Sequence, residues 1–143
     1  LVTLAKEIEK IIKKIKPKIV YTHFHGYLNQ DHRALFHATL IASRPTPSSI
    51  IKKIICFEVP SSTEWGNFDS SFNPNYFVNI ESSLKKKMLA VKQYKNEIPI
   101  HPHPRSIKNI KNLAQIRGAN VGLKYAEAFI IIREIYDPQK KSR

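Results

Sequence analysis

Between Thr22 and Arg33 the chain reads Thr22-His23-Phe24-His25-Gly26-Tyr27-Leu28-Asn29-Gln30-Asp31-His32-Arg33, which packs three histidines, an aspartate and two carboxamides into twelve residues. An imidazole can ligate a metal through one ring nitrogen while an acidic or backbone acceptor fixes the other, and it can move a proton near neutral pH. His32, beside Asp31 at the expected start of a helix, suits the first role. His23 and His25 are two apart and share a face if the chain is a strand there, though not if it is a loop. The same residues also read as a helix capped by Asp31 with ordinary loop histidines before it, and spacing alone does not choose. A second polar cluster, His101-Pro102-His103-Pro104-Arg105-Ser106, lies far along the chain.

These residues need elements to position them. Leu4, Ile8, Ile11 and Ile15 recur at helical spacing among lysines and glutamates, and Pro17 ends that helix. Lys18-Ile19-Val20-Tyr21 is β-prone and runs straight into the histidine loop. Ala34, Leu35, Ala38 and Ile41 form the stripe of a second helix, stopped at Arg44-Pro45. Ile54 to Val59 reads as a buried strand, with Pro60-Ser61-Ser62-Thr63-Glu64-Trp65-Gly66 as the polar loop at its end. Tyr76-Phe77-Val78 predicts a short strand, and Leu84, Met88 and Val91 a helix from Ser83 to Tyr94. Ser106 caps a helix through Ile107, Ile110, Leu113 and Ala114 to Gly118. Tyr125 to Ile132 is ambiguous, since Ala126-Glu127-Ala128 favours helix and Ile130-Ile131-Ile132 strand; strand is the preferred reading. Helices alternating with strands that end in polar loops predict an α/β fold with a mostly parallel sheet, whose ligands bind outside the carboxyl ends of the strands.

The 143 residues suffice for one domain with a real core, expected over residues 1–136, followed by a basic flexible tail over 137–143. Leu1, with a helix already under way, predicts that the chain begins inside a longer protein. A net charge of +13 brings nucleic acid into consideration, but the lysines are spread out, and Lys85 to Lys87 and Lys140-Lys141 are short clusters. A solvated helix face and a basic tail account for most of the charge, so nucleic acid is not the expected partner. Cys56 is the single cysteine and sits in an apolar run, which excludes an internal disulfide and predicts a reducing, cytoplasmic compartment. No run approaches the roughly 18 apolar residues of a membrane span.

Taken as words rather than spacings, several ordered blocks across nearly the whole chain resemble the PIG-L/LmbE deacetylases. They are Tyr21-Thr22-His23-Phe24-His25-Gly26, Leu28-Asn29, Asp31-His32-Arg33, Arg44-Pro45, Phe57-Glu58-Val59-Pro60-Ser61-Ser62-Thr63-Glu64-Trp65, His103-Pro104-Arg105-Ser106, Arg117-Gly118 and Tyr125-Ala126-Glu127-Ala128-Phe129. The resemblance implies a Rossmann-like domain holding one zinc ion, or another divalent metal, that activates water to remove an acetyl group from an N-acetylated amino sugar. It implies a metal-ligand role for His32. The family's other ligands and its general base come from an N-terminal His-Pro-Asp-Asp-Glu-type motif, and this sequence has none, so the chain is expected to supply only part of the site and to lack its N-terminal strands.

Other roles carry over residue by residue. Many relatives place a histidine where this chain has Asn29, which can donate to an oxyanion but cannot serve as an acid. His23 or His25 is then the candidate proton donor. Asp31 is expected to orient a neighbour or cap its helix, and Tyr27 stands where close relatives often carry an aspartate. Glu64, Trp65, His103 and Arg105 are candidates for the substrate rim: Trp65 can stack on a sugar face, and the planar fork of Arg105 can bind a hydroxyl, phosphate or carboxylate. Arg105 reads equally as a structural partner of Glu127 or Glu64. Two rivals to the enzyme are a catalytically inactive remnant acting as a basic glycan- or protein-binding module, and a nucleic-acid binder. Oligomeric state is not legible in the sequence.

Overall fold

Short β-prone segments set between the helices build the sheet. The computed structural model describes residues 1–66 and 70–138, so residues 139–143 of the expected tail lie outside the described residues. The elements run α1 (Val2–Ile15), β1 (Ile19–Thr22), α2 (Gln30–Ala42), β2 (Lys53–Phe57), β3 (Tyr76–Asn79), α3 (Leu84–Val91), α4 (Ile107–Ala119) and β4 (Ala126–Glu134). Lys16 ends α1 in the left-handed conformation, its N–H bonded to the Ile12 carbonyl, and Pro17 prevents continuation. The ambiguous last segment is a strand, as its β-branched run favours. Gly118, expected as the stop of its helix, lies inside α4, which Asn120 caps.

The sheet order is β1-β2-β4-β3. β1 and β2 are parallel, whereas β4 pairs antiparallel with both β2 and β3. The α/β architecture is as expected, but the sheet is mixed. Three strands share one direction, and β4 is inserted in reverse between β2 and β3. The reason is the turn Val121–Lys124, which returns the chain from α4 at the end where β3 finishes, opposite to the parallel crossover joining β1 to β2. The carboxyl ends of β1, β2 and β3 still lie along one edge.

The strands alternate their side chains between two helix layers. Cys56 and Ile130 are register partners and belong to a cluster with Phe24, Tyr27 and Phe36, so α2 covers that face. Glu127, three residues from Ile130 and so on the opposite face, meets Lys87 of α3, while Val78, its partner, packs with Leu84 and Ala114. Ile51, Ile54 and Ile55 are at most 2% exposed and anchor the sheet, each such burial contributing about 1.5–3 kcal/mol.

α1 packs on α2 and on no other element among the described residues. Its inward face is Ala5, Ile8 and Ile12, while Leu4, Ile11 and Ile15 of the expected stripe are exposed. In α2 the buried positions are Phe36, Ala38 and Thr39; of the expected stripe Ala38 is buried, while Ala34, Leu35 and Ile41 are half-buried. β1 is an edge strand, and Ile19 and Tyr21 are about half exposed on it (47% and 54%).

Candidate functional site

The chain leaves β1 at Thr22 and β2 at Phe57, and α2 starts beside both exits. Thr22 and Cys56 are register partners, and the Cys56 thiol donates to the His23 carbonyl at 3.1 Å. The buried Thr22 hydroxyl also meets the Thr39 hydroxyl of α2 at 3.3 Å, which ties the strand end to the helix. These bonds fix the backbone at His23. Its ring lies 4.7 Å from the Phe57 ring and stacks on His32, with centroids 4.1 Å apart and planes inclined by 27°.

Tyr27 completes the cluster from below. It is fully buried, its hydroxyl donates to the Phe57 carbonyl, and its ring stands edge-on to His32 at 5.7 Å. Burial pushes its phenol pKa up strongly. The position where the resemblance leads one to expect an acid is therefore a neutral packing residue that stands edge-on to both His23 and His32.

The start of α2 differs from expectation. Asn29, not Asp31, is the N-cap: extended at φ −69° and ψ 120°, it accepts from the N–H groups of Asp31 and His32 at 2.8 and 3.3 Å through Oδ1. Asn and Asp cap equally well, and the backbone bend two residues earlier decides between them. Asp31 sits exposed in the first turn, where its charge complements the helix dipole. Asn29 thus commits its acceptor to the backbone and keeps its amide N–H groups for another partner. His32 falls in the first turn, as expected.

The histidines split into two groups. His23 and His32 are joined, and the Nδ1 atoms of both are buried without a hydrogen-bond partner. His25 turns toward α2, 4.3 Å from the Phe24 ring and 5.3 Å from that of Phe36. Desolvation, and secondarily the neighbouring histidine, lowers the pKa of both His23 (beside His32) and His25 (beside His37). Both are held in the neutral form, which weakens either as a store of protons.

An unpaired buried imidazole nitrogen typically costs about 1–3 kcal/mol, and such atoms collect where a ligand is bound. His32 therefore fits the ligand role the resemblance implies. Its neighbourhood does not amount to a full donor set, since no group of three histidines, cysteines or carboxylates able to hold a metal occurs among the described residues.

The rim candidates also separate. Trp65, 53% exposed, meets His103 edge-on at 5.4 Å, joining the loop after β2 to the loop before α4. Gly66 brings this pair to the histidine loop, because a Cβ there would run into the Gly26 carbonyl. Glu64 is used locally, accepting from the Ser61 N–H at 2.6 Å to close the turn in which Ser61 adopts φ 71°. His103 Nδ1 accepts from the Arg105 N–H at 3.1 Å, which leaves its Nε2 as the outward donor. The Arg105 side chain is exposed. Neither structural partner expected for it applies, because Glu127 pairs with Lys87 and Glu64 with its own loop.

Two residues that support the site were not singled out from the sequence. Arg117 of α4 grips Glu58 through Nε at 3.1 Å and through Nη2, with side chains 18% and 9% exposed. This fork–fork pair fixes the backbone just beyond Phe57. Both residues lie in blocks that resemble the deacetylases, but their partnership links positions 59 residues apart.

No protein-family model matches the chain. It is 24% identical over 136 residues to the diacetylchitobiose deacetylase of Thermococcus kodakarensis, covering 92% of this chain and 51% of that protein. In structure it resembles the conserved protein TT1542 of Thermus thermophilus, with a TM-score of 0.70, 16% identity, and coverage of 99% of this chain and 64% of that one. It also resembles the N,N'-diacetylchitobiose deacetylase of Pyrococcus horikoshii in complex with its inhibitor MPG, with a TM-score of 0.68, 18% identity, and coverage of 93% and 52%. The chain therefore spans about half the length of the curated relative it matches, and the structural likeness establishes a shared α/β fold.

Proposed function

We propose that the protein carrying this chain is a PIG-L/LmbE-type hydrolase that removes an acetyl group from an N-acetylated amino sugar, with this chain supplying one side of the site. The observation that carries the reading is His32: a histidine at the start of α2, stacked on His23 where β1 and β2 end, with a buried Nδ1 left unpaired. Likeness to a diacetylchitobiose deacetylase over nearly the whole chain supports it.

In this reading His32 is one ligand of a zinc or other divalent ion, which when bound acidifies water and polarises the amide carbonyl. The chain's own residues orient and enclose. His23 stacks on the His32 ring and Tyr27 stands edge-on to both rings, so the two hold its direction. Asn29, its carbonyl committed to the helix cap, turns its amide N–H toward an oxyanion. Trp65 offers an exposed indole on which a sugar ring stacks, and His103 and Arg105 offer donors for its hydroxyls. The remaining ligands and the general base belong to a segment outside this chain. A cytoplasmic location fits the unpaired Cys56, and no described helix is long and apolar enough to cross a membrane.

The test compares this chain with the protein encoded by the entire reading frame that contains it, measuring bound metal and acetate released from N,N'-diacetylchitobiose. The longer protein is expected to hold about one metal per chain and release acetate, and His32→Ala is expected to abolish both while leaving the circular dichroism spectrum unchanged. Metal and activity that survive His32→Ala, or a longer protein with neither, overturn the reading and favour a binding module.

A further inference from the structure

At the opposite edge of the sheet, near the amino ends of β1 and β2, lies a cleft of about 590 Å³ between the end of α1, the end of α2 and the segment leading into β2. Its composition is layered. The floor is apolar, formed by Ile12, Ile41 and the buried Ile51. The rim carries three cations, Lys13, Lys16 and Arg44, and the hydroxyls of Thr46 and Ser48, which lie 3.2 Å from each other.

The cations are not committed elsewhere. No ion pair involving Lys13, Lys16 or Arg44 occurs among the described residues; Arg44 uses only Nε, on the Ile41 carbonyl at 3.1 Å, which aims the rest of its fork outward. One carboxylate, Glu9, also lines the cleft, so the local balance remains two positive charges in excess. Lys16, the left-handed residue that ends α1, is itself one of the lining residues.

A bare inorganic anion would use the rim and waste the floor; an uncharged apolar molecule would do the reverse. We infer that this cleft is a second ligand site, separate from the histidine cluster, for a small organic phosphate whose phosphoryl group is held by Lys13, Lys16, Arg44 and the Thr46 and Ser48 hydroxyls while an apolar or aromatic body lies on Ile12, Ile41 and Ile51. The fork of Arg44 matches phosphate oxygens, and the two lysines supply point charge.

The probe is 1-naphthyl phosphate, titrated by calorimetry into the full chain at about 0.15 M salt, where the long-range field of the surface is largely screened. Inorganic phosphate and 1-naphthol are run beside it. The expected result is saturable one-to-one binding of 1-naphthyl phosphate, at least tenfold tighter than either half alone. The double variant Lys13→Gln/Arg44→Gln is expected to weaken it at least tenfold. Lys85→Gln/Lys86→Gln, which removes the same charge from α3, is expected to leave it unchanged. Equal loss in both variants shows attraction by net charge alone and overturns the site. Naphthol binding as tightly as its phosphate reduces the cleft to an apolar crevice, and absence of binding by the parent chain also overturns it. Circular dichroism spectra of the variants, expected to match the parent, separate loss of the ligand from loss of the fold.

Discussion

Replacing Arg117 by methionine removes the guanidinium but keeps much of the side-chain volume, so the change isolates a charge. The Glu58 side chain is 9% exposed and its two oxygens accept from Nε and Nη2 of Arg117. Without that fork the carboxylate stays largely out of water with neither oxygen paired. Breaking a buried pair from one side costs about 3–5 kcal/mol. Arg117 is 18% exposed, so water reaches part of the gap and the lower figure, about 3 kcal/mol, is expected. Urea unfolding followed by far-ultraviolet circular dichroism reads this as a midpoint lowered by about 1–2 M, for a slope of about 2 kcal/mol/M. Adding Glu58→Gln removes the stranded charge, so the double variant should recover at least half of the loss. Single-variant losses below about 1 kcal/mol, or a double variant that merely sums the two singles, would show that the pair is a solvated surface contact and refute the role given to it.

Three further outcomes follow from the same region. The Cys56 thiol, pushed by burial from 9.0 up to about 12, is expected to resist Ellman's reagent at pH 8 until the protein unfolds. Because the folded pKa lies above the unfolded one, the stability held by the protonated thiol is intact below pH 9 and drains away between pH 9 and 12, by up to about 1.4 kcal/mol per pH unit. The difference between the pH–stability curves of the parent and Cys56→Ala measures this, and a flat difference across that window contradicts it. Tyr27→Phe keeps the ring against His32 but strands the Phe57 carbonyl, and should cost about 1–2 kcal/mol in the same urea assay.

Much of the element order was legible because it rests on local signals. Pro17, Ser106 and the β-branched run Ile130-Ile131-Ile132 act within a few residues of themselves, and the structure follows them. Helix faces were less legible. In α1, Leu4, Ile11 and Ile15 fit a stripe as well as Ala5, Ile8 and Ile12 do, and only the position of α2 decides which turns inward. In the site, Asn29 against Asp31 as the cap was settled by backbone bend rather than by residue type. The sequence placed His32 correctly in its first turn, but its stack on His23 depends on Phe57 and Tyr27, which come from the end of β2 and from the loop before α2. The reversed direction of β4 and the Arg117–Glu58 pair are likewise products of tertiary packing.

The open side of β1 bears on how the chain behaves as a colloid. Among the described residues Ile19–Thr22 pairs with β2 along one side only, and Ile19 and Tyr21 add apolar area beside that open edge. Two copies meeting there would extend the sheet across the pair. Against this stands a charge of +13 on each molecule, which at low ionic strength keeps copies apart over tens of ångströms. Dispersal of the isolated chain is thus expected to depend on its charge, and added salt or polyanions, by shortening the range of repulsion, are expected to bring the strand edges within reach of one another.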